Sequence, residues 1–151
     1  MLNIGEKAPS FSGVDQNNNT LEISQFKGSK IVLYFYPKDS TPGCTAEACN
    51  LRDNYELLQK EGFKIIGVSP DNVKSHEKFA TKYELPFPLI ADTDKKIVTD
   101  YQVWGEKKFM GRTYMGVFRT TFIINEQGII EDILTQVDTK NHTEQIINQQ
   151  K

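Results

Sequence analysis

Two cysteines five residues apart, Cys44 and Cys49, are the only thiols in this chain of 151 residues. Both belong to the segment Pro37-Lys38-Asp39-Ser40-Thr41-Pro42-Gly43-Cys44-Thr45-Ala46-Glu47-Ala48-Cys49, which directly follows the most apolar run, Ile31 to Tyr36. The β-branched and aromatic content of that run predicts a buried strand, and Thr41-Pro42-Gly43 predicts a turn that opens a helix. Cys44 then falls in the first helical turn. Backbone N–H groups without intrahelical partners, with the positive end of the helix dipole, favour an anion there and so the thiolate over the thiol. A free thiol with a pKa of ~8.5 is only about 3% ionised at neutral pH, so a nucleophilic cysteine needs such help. Thr41, three residues upstream, can cap a helix N–H or donate to a bound oxygen, and by spacing alone the cap is the better reading. Pro37 ends the strand and removes a backbone donor.

The rest of the chain bounds what this segment can do. The length suits one domain over residues 1–151, burying roughly 70% of the unfolded surface without a disulfide staple. Charged residues are 25% and hydrophobic residues 38% of the chain, the balance of a soluble globular protein. A formal net charge of -2 leaves no electrostatic footprint for nucleic acid, and Lys95-Lys96 and Lys107-Lys108 read as solvated surface. Residues Met1 to Lys7 lack a basic region followed by an apolar core, and no run is long enough to span a bilayer. A cytoplasmic protein is expected, in which a close cysteine pair points to redox or metal chemistry.

These residues need a scaffold, and its elements can be read in order. Asn17-Asn18-Asn19 between Phe11–Val14 and Leu21–Ile23 predicts an N-terminal β-hairpin. After the Ile31 to Tyr36 strand, a helix is expected from about Gly43 to Lys60, ended by Gly62. A strand Lys64 to Ser69, a helix opened by Ser69-Pro70-Asp71 and running to about Tyr83, and an extended Pro86 to Ile90 follow. A helix from about Asp94 to Tyr101 precedes Trp104 to Val117, which reads as a long loop packed by Trp104, Phe109, Tyr114 and Phe118. Thr120–Ile124 and Ile129–Ile133 predict a hairpin turning at Gly128, and a last helix covers roughly Thr143 to Gln150. The alternation predicts an α/β fold, a mixed central sheet flanked by helices.

This order, with the cysteine-bearing helix after the first central strand, resembles a thioredoxin-like fold. Pro37-Lys38-Asp39-Ser40-Thr41-Pro42-Gly43-Cys44 resembles the Pro-x-x-x-Thr-x-x-Cys signature of peroxiredoxins, and Cys49 resembles the second cysteine of the peroxiredoxin Q, or bacterioferritin comigratory protein, subfamily. Ser69-Pro70-Asp71, Leu85-Pro86-Phe87-Pro88-Leu89, Trp104-Gly105-Glu106-Lys107 and Arg119-Thr120-Thr121-Phe122-Ile123 resemble further segments of that subfamily in the same order. The resemblance implies a thiol peroxidase acting on hydrogen peroxide and organic hydroperoxides. Cys44 would attack the peroxide, Cys49 would resolve the sulfenic acid as a disulfide, and thioredoxin or a similar dithiol would reduce it. It nominates Arg119 as the cation facing the Cys44 sulfur, Thr41 as the residue that orients the peroxide, and Pro37 as a shield against water. Backbone N–H groups of Gly43 and Cys44 would complete the oxygen pocket. No metal, haem or flavin is required, and with both cysteines on one chain a monomer is the default.

Cys49 carries a geometric condition. Residues five apart on an ideal helix have Cα atoms roughly 8.7 Å apart, given a rise of ~7.5 Å and a rotation of ~140°. A disulfide needs less than about 7 Å, so bonding Cys44 to Cys49 requires the helix to unwind. The rival from another class is a copper-binding module, which in thioredoxin-like folds uses a cysteine pair with three intervening residues and a distal histidine; here there are four. A general disulfide oxidoreductase would want Cys-x-x-Cys, which is absent. His76 and His142 do not complete a recognisable zinc set. His76 reads as an ordinary surface or capping histidine.

Overall fold

The computed structural model describes residues 2–149. Its centre is a five-stranded mixed sheet whose middle strand, β3 (Lys30–Phe35), is the apolar run of the sequence. From Ile31 to Tyr36 every residue is buried. A continuous rather than alternating apolar pattern is what a strand covered on both faces requires. β3 pairs in parallel with β4 (Phe63–Ser69), which pairs in parallel with β5 (Leu89–Ala91). On its other side β3 is antiparallel to β8 (Thr120–Ile124), and β8 to β9 (Ile130–Leu134), so the strand order is β5-β4-β3-β8-β9.

Successive residues of β3 serve opposite cores. Ile31, Leu33 and Phe35 join Phe11, Leu21, Ile97 and Val98, so this face lies under the N-terminal segment and α4 (Lys96–Asp100). Val32, Tyr34 and Tyr36 join Cys44, Ala48 and Leu51 of α1 (Pro42–Asp53), Leu58 of α2 (Tyr55–Lys60), Phe79 of α3 (Val73–Tyr83) and Ile146 of α5 (His142–Asn148). The candidate active-site helix is therefore anchored by its own apolar stripe, Cys44, Ala48 and Leu51, at helical spacing. β1 (Ser12–Val14) and β2 (Thr20–Glu22) form the expected N-terminal hairpin.

Several expected boundaries move. The helix expected from Gly43 to Lys60 is two helices broken at Asn54, whose side chain donates to Asn50 O at 2.8 Å and competes with the backbone ladder. The helix expected from Asp94 starts at Lys96 because Lys95 is left-handed, with φ 62°. The end expected for the last helix, Gln150, lies outside the described residues. The largest correction concerns Trp104 to Val117, which is not a loop. It is a second hairpin, β6 (Trp104–Phe109) against β7 (Arg112–Val117), turning through Met110 at φ 50° and Gly111 at φ 78°. Two successive left-handed residues make the primed turn that suits strand twist, but Met-Gly is not its usual sequence signal. Nor do its aromatics all serve as packing. Trp104 packs on the core, whereas Phe109, Tyr114 and Phe118 are exposed.

Candidate active site

The loop between β3 and α1 sets the site. Thr41 holds the N-cap position with extended backbone, φ -82° and ψ 154°, and its carbonyl accepts from Thr45 N at 2.9 Å. Pro42 follows at the first helical position, where its missing N–H costs nothing. The hydroxyl does not cap the helix as spacing suggested; Thr41 Oγ1 donates to Lys38 O at 2.8 Å, within the loop. Cys44 sits in the first turn of α1 and is 1% exposed, so its sulfur lies in a dry environment near the positive end of the helix dipole.

Arg119 arrives from the sheet. It directly precedes β8, and the register Phe35↔Thr120 brings it to the end of β3 at which the cysteine loop begins. Its Nη2 donates to Cys44 Sγ at 3.2 Å and its Nη1 to Glu47 Oε1 at 2.7 Å. One planar guanidinium thus spans two side chains three residues apart on α1. Gly43 leaves the room: a Cβ there would stand 3.3 Å from Arg119 Nη2.

Behind Arg119 lies a buried polar cluster. Glu47 is fully buried, and burial pushes its carboxyl up to about 7 against the opposing pull of Arg119. Its second oxygen, Oε2, makes no hydrogen bond among the described residues and lies 3.5 Å from His142 Nε2. That imidazole nitrogen contacts Thr121 Oγ1 at 2.8 Å, while Nδ1 meets Gln145 Oε1 at 2.9 Å. Burial lowers the His142 pKa, and Arg119 adds to the effect. Burial works against the charge of Arg119 too, but Glu47 and Cys44 outweigh it and its pKa rises. Tyr34, whose hydroxyl is buried and unpaired among the described residues, has its pKa raised by burial first and then by Glu47 and Cys44.

The structure therefore brings Cys44, Arg119 and Gly43 together, with Thr41 at the mouth of the same helix. Cys49 lies on α1 with Cys44, partly buried, and both thiols are free.

A family model, the AhpC/TSA family, matches residues 4–133. The chain belongs to that family, the peroxiredoxins. Peroxiredoxin Bcp of Escherichia coli strain K12 is 42% identical over 147 residues, covering 97% of this chain and 94% of that protein. The crystal structure of a cysteine-to-serine variant of peroxiredoxin Q from Xylella fastidiosa superposes with a TM-score of 0.93 at 29% identity, over 99% of this chain and 96% of that one. The bacterioferritin comigratory protein of Xanthomonas campestris, studied in trapped-intermediate and ligand complexes for its alkyl peroxide reduction, gives a TM-score of 0.86 at 32% identity, over 91% of this chain and 88% of that one. The fold is thioredoxin-like and the enzyme class is thiol-dependent peroxidase.

Sequence reasoning about this peroxiredoxin missed Glu47, Thr121 and His142 as neighbours of the site, and Asp39 within the loop. Glu47 carried a usable signal, since residues at i and i+3 share a helix face. His142 carried none, because only folding brings α5 beside α1. His76, read as surface or capping, is completely buried. It is held by Asp39 and by the carbonyl of Ile90, partners 37 and 14 residues away.

Proposed function

We propose that this peroxiredoxin reduces hydrogen peroxide and organic hydroperoxides with Cys44 as the attacking thiol and Cys49 as the resolving thiol. The observation that carries the reading is the 3.2 Å contact of Arg119 Nη2 with Cys44 Sγ in the first turn of α1. A guanidinium that cannot lose its proton, added to the helix N-terminus, supports a thiolate in a dry site. The thiolate attacks the terminal peroxide oxygen, the O–O bond breaks, and the sulfur is left as a sulfenic acid. The departing alkoxide or hydroxide takes up a proton to leave as alcohol or water. Arg119 and the N–H groups of Gly43 and Cys44 stabilise the charge on that oxygen, Thr41 orients the peroxide, and Pro37 keeps water from the sulfur. Cys49 then displaces hydroxide from the sulfenic acid, forming the disulfide and water. A dithiol, with thioredoxin the natural candidate, returns both thiols by exchange. With both thiols on one helix the cycle closes within a monomer. The alkyl peroxide reduction studied in the Xanthomonas protein supports the wider substrate range.

Peroxide consumption coupled to thioredoxin and its reductase tests the cycle, run with hydrogen peroxide and with a bulkier hydroperoxide. Cys44→Ser abolishes turnover. Cys49→Ser reacts once and leaves a sulfenic acid that a dimedone-type reagent traps. Equal loss of the single-turnover reaction in both variants would overturn the assignment.

A further inference from the structure

Between Pro37 and Thr41 the loop carries a buried acid that the reaction itself does not use. Asp39 is 5% exposed, and three side chains converge on it: Tyr36 Oη donates at 2.6 Å, Ser75 Oγ donates at 2.8 Å, and His76 Nδ1 lies 2.7 Å away. Its own N–H donates to Asp71 Oδ2 at 2.8 Å. The other nitrogen of His76, Nε2, lies 3.0 Å from the carbonyl of Ile90 in β5. A carbonyl can only accept, so Nε2 carries a proton. His76 is fully buried and ties Asp39 to β5 through its two ring nitrogens.

The atoms could be mistaken for a metal site, since Asp39, Asp71 and His76 offer ligand atoms within 4.8 Å of one another. Those atoms are already engaged. Asp71 Oδ2 accepts from Ser69 Oγ and Asp39 N, and Asp39 Oδ2 from Ser75 and His76.

Every partner of Asp39 lies outside α1: Tyr36 at the end of β3, Asp71 after β4, Ser75 and His76 on α3. The next residue, Ser40, is left-handed with φ 64°, a conformation a non-glycine residue holds only when its surroundings enforce it. We infer that the Asp39–His76 pair is a latch that holds residues 37–41 in the peroxide-reactive conformation, so that its strength sets the balance between attack on peroxide and the unwinding needed for disulfide formation. Asp39 and His76 are thus positioning residues that act through Pro37, Thr41 and the start of α1. The inference rests on the proposed Cys44–Cys49 cycle.

Single-turnover mixing of reduced protein with hydrogen peroxide, following first sulfenic acid and then disulfide formation, separates the two effects. Asp39→Ala should slow the first oxidation by on the order of 10²-fold, since small misplacements of reacting groups cost that much. It should also speed disulfide formation several-fold by making local opening easier. Asp39→Asn should restore both rates towards the natural protein. Its amide keeps a hydrogen-bonding group towards His76 Nδ1 and still accepts from Tyr36 Oη. If Asp39→Ala does not fold, Ser75→Ala, which removes one donor, must move the two rates in the same opposite directions. Rates that both fall together, or an asparagine variant no better than alanine, would overturn the latch. A natural protein that consumes no peroxide would instead overturn the cycle.

Discussion

Arg119 bonds two acidic side chains, Cys44 and Glu47, with one guanidinium, and the consequences of removing it differ between them. Glu47 is left buried without its partner, which for a fixed charge costs about 3–5 kcal/mol. Its carboxyl already titrates up at about 7, so it takes a proton instead and the fold survives. Cys44, the proposed attacking thiol, has no such escape, because attack requires the thiolate. Arg119→Met should therefore leave a folded protein with weaker thiolate absorbance at neutral pH and a first oxidation slower by on the order of 10²–10³-fold. Arg119→Lys should fall between, because a point charge cannot span Sγ and Oε1 together as the fork does. Unchanged thiolate absorbance and rate in Arg119→Met would make the arginine a purely structural ion pair. At this scale the sequence was legible where function depends on neighbours along the chain. Thr41, Gly43 and Cys44 sit at a helix start as their spacing predicts, whereas the Thr41 hydroxyl bonds Lys38 and His76 is buried, both decided by what surrounds them.

Helix α1 carries both thiols and so cannot hold them in a disulfide while intact. The ideal-helix separation of roughly 8.7 Å exceeds disulfide reach, so in the proposed Cys44–Cys49 cycle the two redox states are two conformations. Oxidation should accelerate hydrogen exchange at amides from about Thr41 to Asp53 and lower far-UV helicity, while β3 and β8 stay protected. A Cys44–Cys49 disulfide in an undisturbed helix would refute this. The break at Asn54 gives the opening a natural limit, since α2 begins a new hydrogen-bonded segment there. Elements with strong periodicity or plain capping were readable, among them β3, α3 and the hairpin turning at Gly128. The β6–β7 hairpin was not. Its residues are largely exposed on both faces, so no alternation marked it, and the Met110-Gly111 turn lacks the usual asparagine or aspartate.

Across the whole molecule, the burial of Glu47 couples stability to pH. Its folded pKa, about 7, is raised above an ordinary carboxyl value of 4.5. Between those values the folded state holds a proton that the unfolded state has lost, so this contribution is fully present below the unfolded pKa and is lost as pH rises through about 7. Thermal unfolding from pH 5 to 8 should show the natural protein losing stability relative to Glu47→Gln by up to on the order of 3 kcal/mol. The difference should shrink again on acidification. A pH-independent gap between the two would mean that Glu47 stays ionised throughout.

What the sequence by itself determined is what local chemistry can dictate. The continuous apolar run demanded a strand covered on both faces, Thr-Pro-Gly opened a helix, and the five-residue spacing of the cysteines implied a conformational step. Only the tertiary structure decided which distant groups meet. Cys44 and Arg119 are 75 residues apart in the chain and 3.2 Å apart in space. That contact exists because β8 pairs antiparallel with β3 in a register that matches Phe35 with Thr120. Propensity and periodicity act over a few residues, whereas burial, ion pairing and a shared proton depend on which surfaces pack together. For that reason Glu47, His142 and the Asp39–His76 pair became visible only once the helices lay on the sheet.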